Sequence, residues 1–445
     1  MTRPKGTASP PPAAMSLRGA VFLGIGAMVG AGIFALLGQA GEIAGAGVWI
    51  SFLVAGLISL ALGYAMAKLG ANFPSSGGLI TYLIKGFGNG RLVGVASWLG
   101  YVTAIVVVGA MVAVSFGDYA AAIVVGDDAS AVWSKVFASA LLVAGALLCI
   151  VGPRMVDRAQ SLIVIGLLAV FAVFVVVTIA NLHSNLLAIS GYPSRRSIIS
   201  SVALTFFAYL GFAVISFAAG DLRDPQRNLP RAMYLALGAT TLLYVAIAIG
   251  VFGTLTVDEV IHYGPRAIAE AARPTLGEAG YAAMAVAALL ATASSVTATL
   301  YASSGLTGTL AESGQFPKPF GSGSRLGRHG GLLITTVLTL LFVTVFNLGA
   351  LASIGSAVSL AVFVLVGVAA LRLRHTIGAR RWIVAAGILA STIVLIVFAV
   401  DTFDNDPKAF WTMVVLPFAA FGLDVIWKRL RRPPARPDVV AIPAP

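Results

Sequence analysis

The sequence predicts an all-α polytopic membrane protein with about twelve transmembrane helices. Three observations carry that expectation. Of the 445 residues, 59% are hydrophobic and 10% are charged, with a mean hydropathy of +0.96. A water-soluble chain could not bury so much apolar surface. Charge-free segments long enough to cross a bilayer as helices recur along nearly the whole length. The basic residues then fall on alternate loops. An outer-membrane barrel would need alternating ten-residue strands, and the sequence has none.

The segments lie near 16–39, 47–69, 92–122, 131–151, 155–181, 198–219, 232–254, 281–310, 332–348, 350–371, 382–400 and 410–427. If the N-terminus is internal, only Lys135, Arg195, Arg196, Arg266, Arg273 and Lys408 of the 29 basic residues fall outside. The acids lean the other way: Asp127, Asp128, Asp258, Glu259, Asp401, Asp404 and Asp406 all lie in outer loops. This follows the positive-inside rule with both termini cytoplasmic. The net charge of +12 therefore reflects topology and contact with anionic lipid, not nucleic acid. No cleavable signal peptide is read, because the first span continues past Phe34. Cys149 stands alone, so neither a disulfide nor a cysteine metal site is expected. Residues 1–15 and the Pro-rich tail 431–445 are expected to be disordered. The segment from Thr256 to Glu278 reads as an outer loop with a short helix that Pro265 could start and Pro274 end. Residues Gly314 to Gly331 read as a cytoplasmic connector.

The first span contains Gly24-Ile-Gly-Ala-Met-Val-Gly30-Ala-Gly32-Ile-Phe34. Each glycine weakens a helix by about 1 kcal/mol relative to alanine. Gly26 and Gly30 have the small-xxx-small spacing of a helix-packing face. That spacing leaves Gly30-Ala-Gly32 unexplained, and the alternative is a backbone that opens around a ligand. Opened helices at membrane depth are tolerated only where the freed groups line a cavity or are buried in protein. The sixth span carries Thr205-Phe-Phe-Ala-Tyr209-Leu-Gly211-Phe212. If ten spans form two inverted groups of five, the first and sixth correspond. A pair of interrupted helices in corresponding positions points to a transporter site.

The chain resembles the amino acid–polyamine–organocation (APC) superfamily. The first-span glycines match that family's G-x-G-x-[MI]-[IV]-G-A-G-I-F pattern. Pro74-Ser-Ser-Gly77-Gly78-Leu-Ile-Thr-Tyr82 is similar to its P-x-x-G-G-x-x-x-Y. Phe206-Phe-Ala-Tyr209-Leu-Gly211-Phe, with Asp224-Pro225-x-Arg227-x-Leu-Pro230, resembles its sixth span and following loop. Ala311-Glu-Ser-Gly314-Gln-Phe-Pro317 resembles its A-R-D-G-x-x-P after the eighth span. These matches span residues 18–320 in the expected order. The resemblance implies a LeuT-type 5+5 inverted repeat with broken helices 1 and 6. The ten-helix core would be 16–372, and helices 11–12 would occupy 373–430.

The same resemblance implies an amino acid permease, with no catalytic site, metal or cofactor. A substrate carboxylate suits exposed N–H groups at a half-helix start, expected from Val29, Gly30, Ala31, Gly32 and Ile33. Its ammonium suits exposed carbonyls, which the resemblance assigns to Ile25 and Gly26 and to Phe206, Phe207 and Tyr209. Leu210, Gly211 and Phe212 would form an apolar wall, with Trp98, Tyr101 and Ile105 as candidates to face it. No Asp or Glu lies near the middle of a drawn span, so a neutral amino acid is the expected substrate.

Coupling is less marked in the sequence. Ser294 and Ser295 fall where sodium-coupled relatives carry paired hydroxyls, but each hydroxyl could equally bond its own i−4 carbonyl. The lysine that some relatives carry on the fifth span is missing near Leu167. Proton symport is the family default, and exchange or uniport remains open. A non-transporting amino acid sensor on the same fold is the rival class. A membrane enzyme would need converging polar groups that the spans lack. The expected setting is the plasma (inner) membrane.

Overall fold

The structure, a computed structural model, describes residues 15–88, 90–126, 130–151, 153–321 and 329–430. The expected disordered ends 1–14 and 431–445 lie outside the described residues, as do Asp127, Asp128, Arg325 and Arg328. Among the described residues the elements are all helices, joined by turns and short loops, with one parallel bridge between Met15 and Leu222.

The first span is two helices, α1 (Leu17–Ala31) and α2 (Ile33–Ala44). Ser16 starts α1 by accepting the Gly19 N–H at 3.1 Å, the usual N-cap arrangement. The second span is α3 (Val48–Asn72). A short helix, α4 (Gly78–Phe87), precedes the third span, α5 (Arg91–Tyr101) and α6 (Val108–Val124). Between those two, residues 102–107 form a π-helix, a wider turn that the sequence did not announce. The fourth and fifth spans are α7 (Ala131–Val151) and α8 (Pro153–Ala180).

The sixth span divides into α9 (Arg195–Phe207) and α10 (Phe212–Phe217). The seventh is α11 (Pro225–Phe252). Its start lies inside the expected turn, because Pro225 occupies the first helical position, where a missing N–H costs nothing. The outer loop holds α12 (Val257–Tyr263), started by a capping box between Thr256 and Glu259. Next comes α13 (Ala267–Glu312), bent at Gly277 with φ of 65°. The expected short helix therefore begins after Pro265 and ends at Gly277, three residues beyond Pro274. The remainder is α14 (Gly330–Val345), α15 (Leu348–Arg372), a single turn α16 (Arg374–Ile377), α17 (Arg381–Asn405) and α18 (Pro407–Leu430). Among the described residues ten helical stretches are long and apolar enough to cross a membrane, and α1, α4 and α14 are shorter apolar helices.

Packing repeats itself when span n is exchanged with span n+5. The first span packs on the fifth, and the sixth on the tenth; the second packs on the tenth, and the seventh on the fifth. The third lies against the fourth, and the eighth against the ninth. The corresponding pairs first–sixth, second–seventh and third–eighth are also in contact. That pattern is what the 5+5 arrangement requires. It breaks at one place: α1 packs tightly on α13, whereas the sixth and third spans have no comparable interface.

Candidate functional site

The first break is one residue wide. Gly32 has φ −95° and ψ −82°, outside helical values. Its N–H still closes the last turn of α1 on Met28 O at 2.7 Å, and its carbonyl accepts Leu36 N–H at 2.9 Å to open α2. Between those two bonds the ladder is cut. The N–H groups of Ile33 and Phe34 stand at the start of α2, and the carbonyls of Val29 and Gly30 at the end of α1. These are the orphan groups that any helix end exposes.

This shifts the expected donors and acceptors. Val29, Gly30 and Ala31 lie inside α1, so their N–H groups belong to its ladder, as do the carbonyls of Ile25 and Gly26. The helix-end N–H groups nearest the break are those of Ile33 and Phe34, at the positive end of α2. The helix-end carbonyls include those of Val29 and Gly30. Gly30 also serves packing. A Cβ there would lie 2.1 Å from Ala291 O and 2.6 Å from Ser295 Cβ on α13. The small-residue spacing that competed with an opened backbone therefore accounts for this glycine.

The second break, at 208–211, is a tight 3₁₀-like turn. Tyr209 N–H donates to Phe206 O at 2.9 Å, Leu210 N–H to Phe207 O at 3.1 Å and Phe212 N–H to Tyr209 O at 3.0 Å. The expected sixth-span carbonyls are thus each used once, with a second lone pair left.

The two breaks touch. A Cβ on Gly211 would lie 2.4 Å from Met28 N and 2.5 Å from Ala27 C. A Cβ on Gly32 would lie 2.7 Å from Ala208 O and 2.2 Å from the Tyr244 hydroxyl. Glycine at both positions is what lets the backbones meet. Tyr244, from the middle of α11, closes the seam. Its hydroxyl donates to Met28 O at 2.5 Å and lies 3.3 Å from Ala208 O, and the Ile33 N–H faces it. On the other side Ser295 Oγ donates to Ala27 O at 2.9 Å. This is not the local i−4 bond that neighbouring Thr292 makes with Ala288 O at 2.7 Å. Ser294 is buried beside it.

Every expected substrate residue whose side chain is described is buried, but the side chains go to different places. Tyr209 donates to Phe52 O at 2.9 Å and lies against Tyr244. Phe206 and Phe212 both pack on Phe363 of α15. The Phe207 ring lies under Gly355, where a Cβ would come within 2.3 Å of it. Ile25, Val29, Ile33 and Leu210 are apolar core beside the breaks. Tyr101 is elsewhere. Its hydroxyl is 2.8 Å from Thr335 Oγ1, and its ring meets Phe316 and Phe320. Trp98 stacks on Phe316 at 4.0 Å. These aromatics bind the loop after α13 to the third span and do not form a wall at the breaks.

A cavity of about 580 Å³ is lined by Gln39, Glu42, Leu204, Ser353, Ile354 and Asp406 among others. The contact of Phe207 with Gly355 lies one helical turn along α9 from Leu204. Beyond α10, Met15 is strapped to the chain. Its N–H donates to Asp221 O and its carbonyl accepts Arg223 N–H, both at 3.0 Å. Tyr301 of α13 donates to Asp221 Oδ2 at 2.8 Å.

The model of the amino acid permease family matches residues 15–420. The chain belongs to the amino acid permease family. It is a multi-pass membrane transporter of the APC type, not an enzyme. It is 34% identical over 395 residues to the inner membrane transport protein YbaT of Escherichia coli K12, covering 89% of this chain and 92% of the relative. It is 31% identical to a protein of Methanocaldococcus jannaschii over 94% and 96% of the two chains. The serine/threonine exchanger SteT of Bacillus subtilis is 27% identical over 59% of each chain.

Tyr244 is the permease residue that motif reading missed. A signal was present: a tyrosine in the apolar run Leu242-Leu243-Tyr244-Val245 needs a partner for its hydroxyl at membrane depth. What the sequence could not supply was which backbone carbonyl it reaches.

Proposed function

We propose that this permease carries neutral amino acids across the plasma (inner) membrane by alternating access, with proton symport as its coupling and both termini cytoplasmic. The observation that carries the reading is the contact between the two helix breaks, whose backbone groups are left to Tyr244, Ser295 and a ligand. A zwitterion suits that seam. Its carboxylate would meet the Ile33 and Phe34 amides at the start of α2, and its ammonium the carbonyls of Val29 and Gly30 at the end of α1. The buried residues named at the two breaks carry no charged side chain for a cationic or acidic substrate, which favours a neutral one. The SteT relative is named for serine and threonine, in keeping with a small neutral substrate. Movement of spans one, two, six and seven against three, four, eight and nine would open the Phe207–Gly355 contact and the Met15 strap in turn.

Proton symport is the default coupling that the family resemblance implies, and sodium dependence is the alternative that Ser294 and Ser295 would serve. The test is uptake of radiolabelled amino acids into proteoliposomes, with and without an inward proton gradient and with sodium replaced. Accumulation that collapses with a protonophore and ignores sodium is expected. Uptake indifferent to both ions but stimulated by internal amino acid would replace symport with exchange. Binding of an amino acid with no flux of any would replace transport with sensing.

A further inference from the structure

We propose that the junction of α5 and α18, at the end of the bundle that carries most basic residues, is a binding site for one anionic phospholipid. A cleft of about 360 Å³ there is lined by Arg91, Phe421, Val425, Lys428 and Arg429. Its floor is a built structure. Gly94 on α5 leaves room for Asp424, since a Cβ there would lie 2.1 Å from Asp424 Oδ1. Asp424 is fully buried and holds Lys428 Nζ at 2.9 Å. The same ammonium lies 3.4 Å from Gly90 O, so Lys428 is fixed across the junction. Trp427 anchors α18 from its other side by donating to Gly314 O at 3.2 Å.

The charge of this cleft is not internally cancelled. Asp424 neutralises Lys428, whereas Arg91 and Arg429 are exposed and make no hydrogen bond or ion pair among the described residues. The cleft also lies at the start of α5, whose N-cap is Gly90 with no capping side chain. Its first N–H groups face the same end, and that end carries positive partial charge. Two unpaired guanidiniums, a fixed ammonium and a helix N-terminus together suit a phosphate monoanion. Phe421 lies two turns from Lys428 toward the middle of α18 and is 46% exposed, and Leu92, next to Arg91 at the start of α5, is 50% exposed. A phosphate alone would leave that apolar edge unused. A phospholipid places its headgroup on the cations and an acyl chain along Phe421, Val425 and Leu92. The apolar lining thus commits the site to a lipid and not to a free anion.

The test is native mass spectrometry of the delipidated full chain in detergent doped with phosphatidylglycerol, against phosphatidylcholine of the same chain length. One retained phosphatidylglycerol is expected. Arg91→Gln/Arg429→Gln should lower its retention by roughly tenfold, given the usual worth of two cations near an anionic headgroup. Arg380→Gln, which removes an exposed charge elsewhere, should leave it intact. The double variant spares Lys428, because removing it would strand buried Asp424. Equal retention of phosphatidylcholine would overturn the proposal, as would equal loss in Arg380→Gln. Displacement of the lipid by millimolar inorganic phosphate would overturn the lipid assignment in favour of a free anion.

Discussion

The two helix breaks occupy equivalent places in the inverted repeat, yet they resolve the same problem differently. The break in the sixth span is closed mostly by its own backbone. Tyr209, Leu210 and Phe212 make i→i−3 bonds, and of its carbonyls Ala208 O turns to a neighbour, the Tyr244 hydroxyl at 3.3 Å. The break in the first span is a single non-helical residue, where the end of one half-helix meets the start of the next. Its neighbouring carbonyls are bound from outside, Met28 by Tyr244 and Ala27 by Ser295. A turn closed mostly by its own backbone is a fixed part. A break completed by side chains from two other spans can exchange those partners for a ligand, because nothing local has to unfold. The comparison teaches that the first span is the responsive half of the site and the sixth the rigid half.

The sharpest way to break that comparison is a pair of glycine variants. In Gly211→Ala the new Cβ meets backbone, Met28 N at 2.4 Å and Ala27 C at 2.5 Å. Backbone cannot yield without parting the two spans, and such overpacking costs about 1–3 kcal/mol or more. Transport should fall by at least tenfold, with a lower unfolding temperature in detergent. In Gly32→Ala the nearest obstacle is the Tyr244 oxygen at 2.2 Å, with Ala208 O behind it at 2.7 Å. Adding Tyr244→Phe removes that oxygen and should recover part of the folding loss in Gly32→Ala, but none in Gly211→Ala. Equal rescue of both, read by thermal unfolding, would mean that the two breaks are not built differently. Gly30→Leu is not a clean test of binding, because its Cβ is aimed at Ala291 O on α13 and the variant should lose packing first.

A smaller effect is expected at Ser295. Ser295→Ala leaves Ala27 O without its side-chain donor, worth about 1 kcal/mol for a buried bond. Thr292→Val removes a hydroxyl that bonds only its own helix. The first should raise the KM for substrate by a few-fold and the second should leave it unchanged. Neither variant should gain or lose dependence on sodium. Sodium-stimulated uptake in the unmodified permease that Ser295→Ala abolishes would restore an ion to the place where Ser295 now bonds directly.

Much of this architecture was legible before any coordinates. Apolar run lengths and charge alternation placed the spans, and each of the twelve predicted segments contains helix. The order of the motifs carried the broken first and sixth spans, because glycine and its neighbours report backbone chemistry locally. What was not legible depends on contacts between distant residues. Gly30-Ala-Gly32 looks like one feature in sequence, but Gly30 packs a helix and only Gly32 breaks one. The spacing is identical for both roles, and only the neighbour at Ala291 separates them. Tyr244 was invisible as a partner for the same reason, since its target lies 216 residues away. The π-helix at 102–107 lies against α14 and α15, contacts that no local propensity encodes.

Tyr101 supplies the smallest and most discriminating effect. Motif order places it on the third span, opposite the breaks, and the sequence made it a wall of the substrate site. The structure instead commits its hydroxyl to Thr335 and its ring to Phe316 and Phe320. Tyr101→Phe deletes one buried hydroxyl and keeps the ring. Stability should drop by about 1 kcal/mol, because Thr335 still bonds Gly331 O within its own helix at 2.7 Å. The KM and the ranking of amino acids in the uptake panel should not change, since a residue that bolts the loop after α13 to the third span touches no substrate. The maximal rate is free to shift, because that bolt is one of the contacts the inner side must release during alternating access. A changed ranking of substrates with unchanged stability would return Tyr101 to the binding wall. It would also mean that the third span approaches the first-span break more closely during transport than it does in this arrangement.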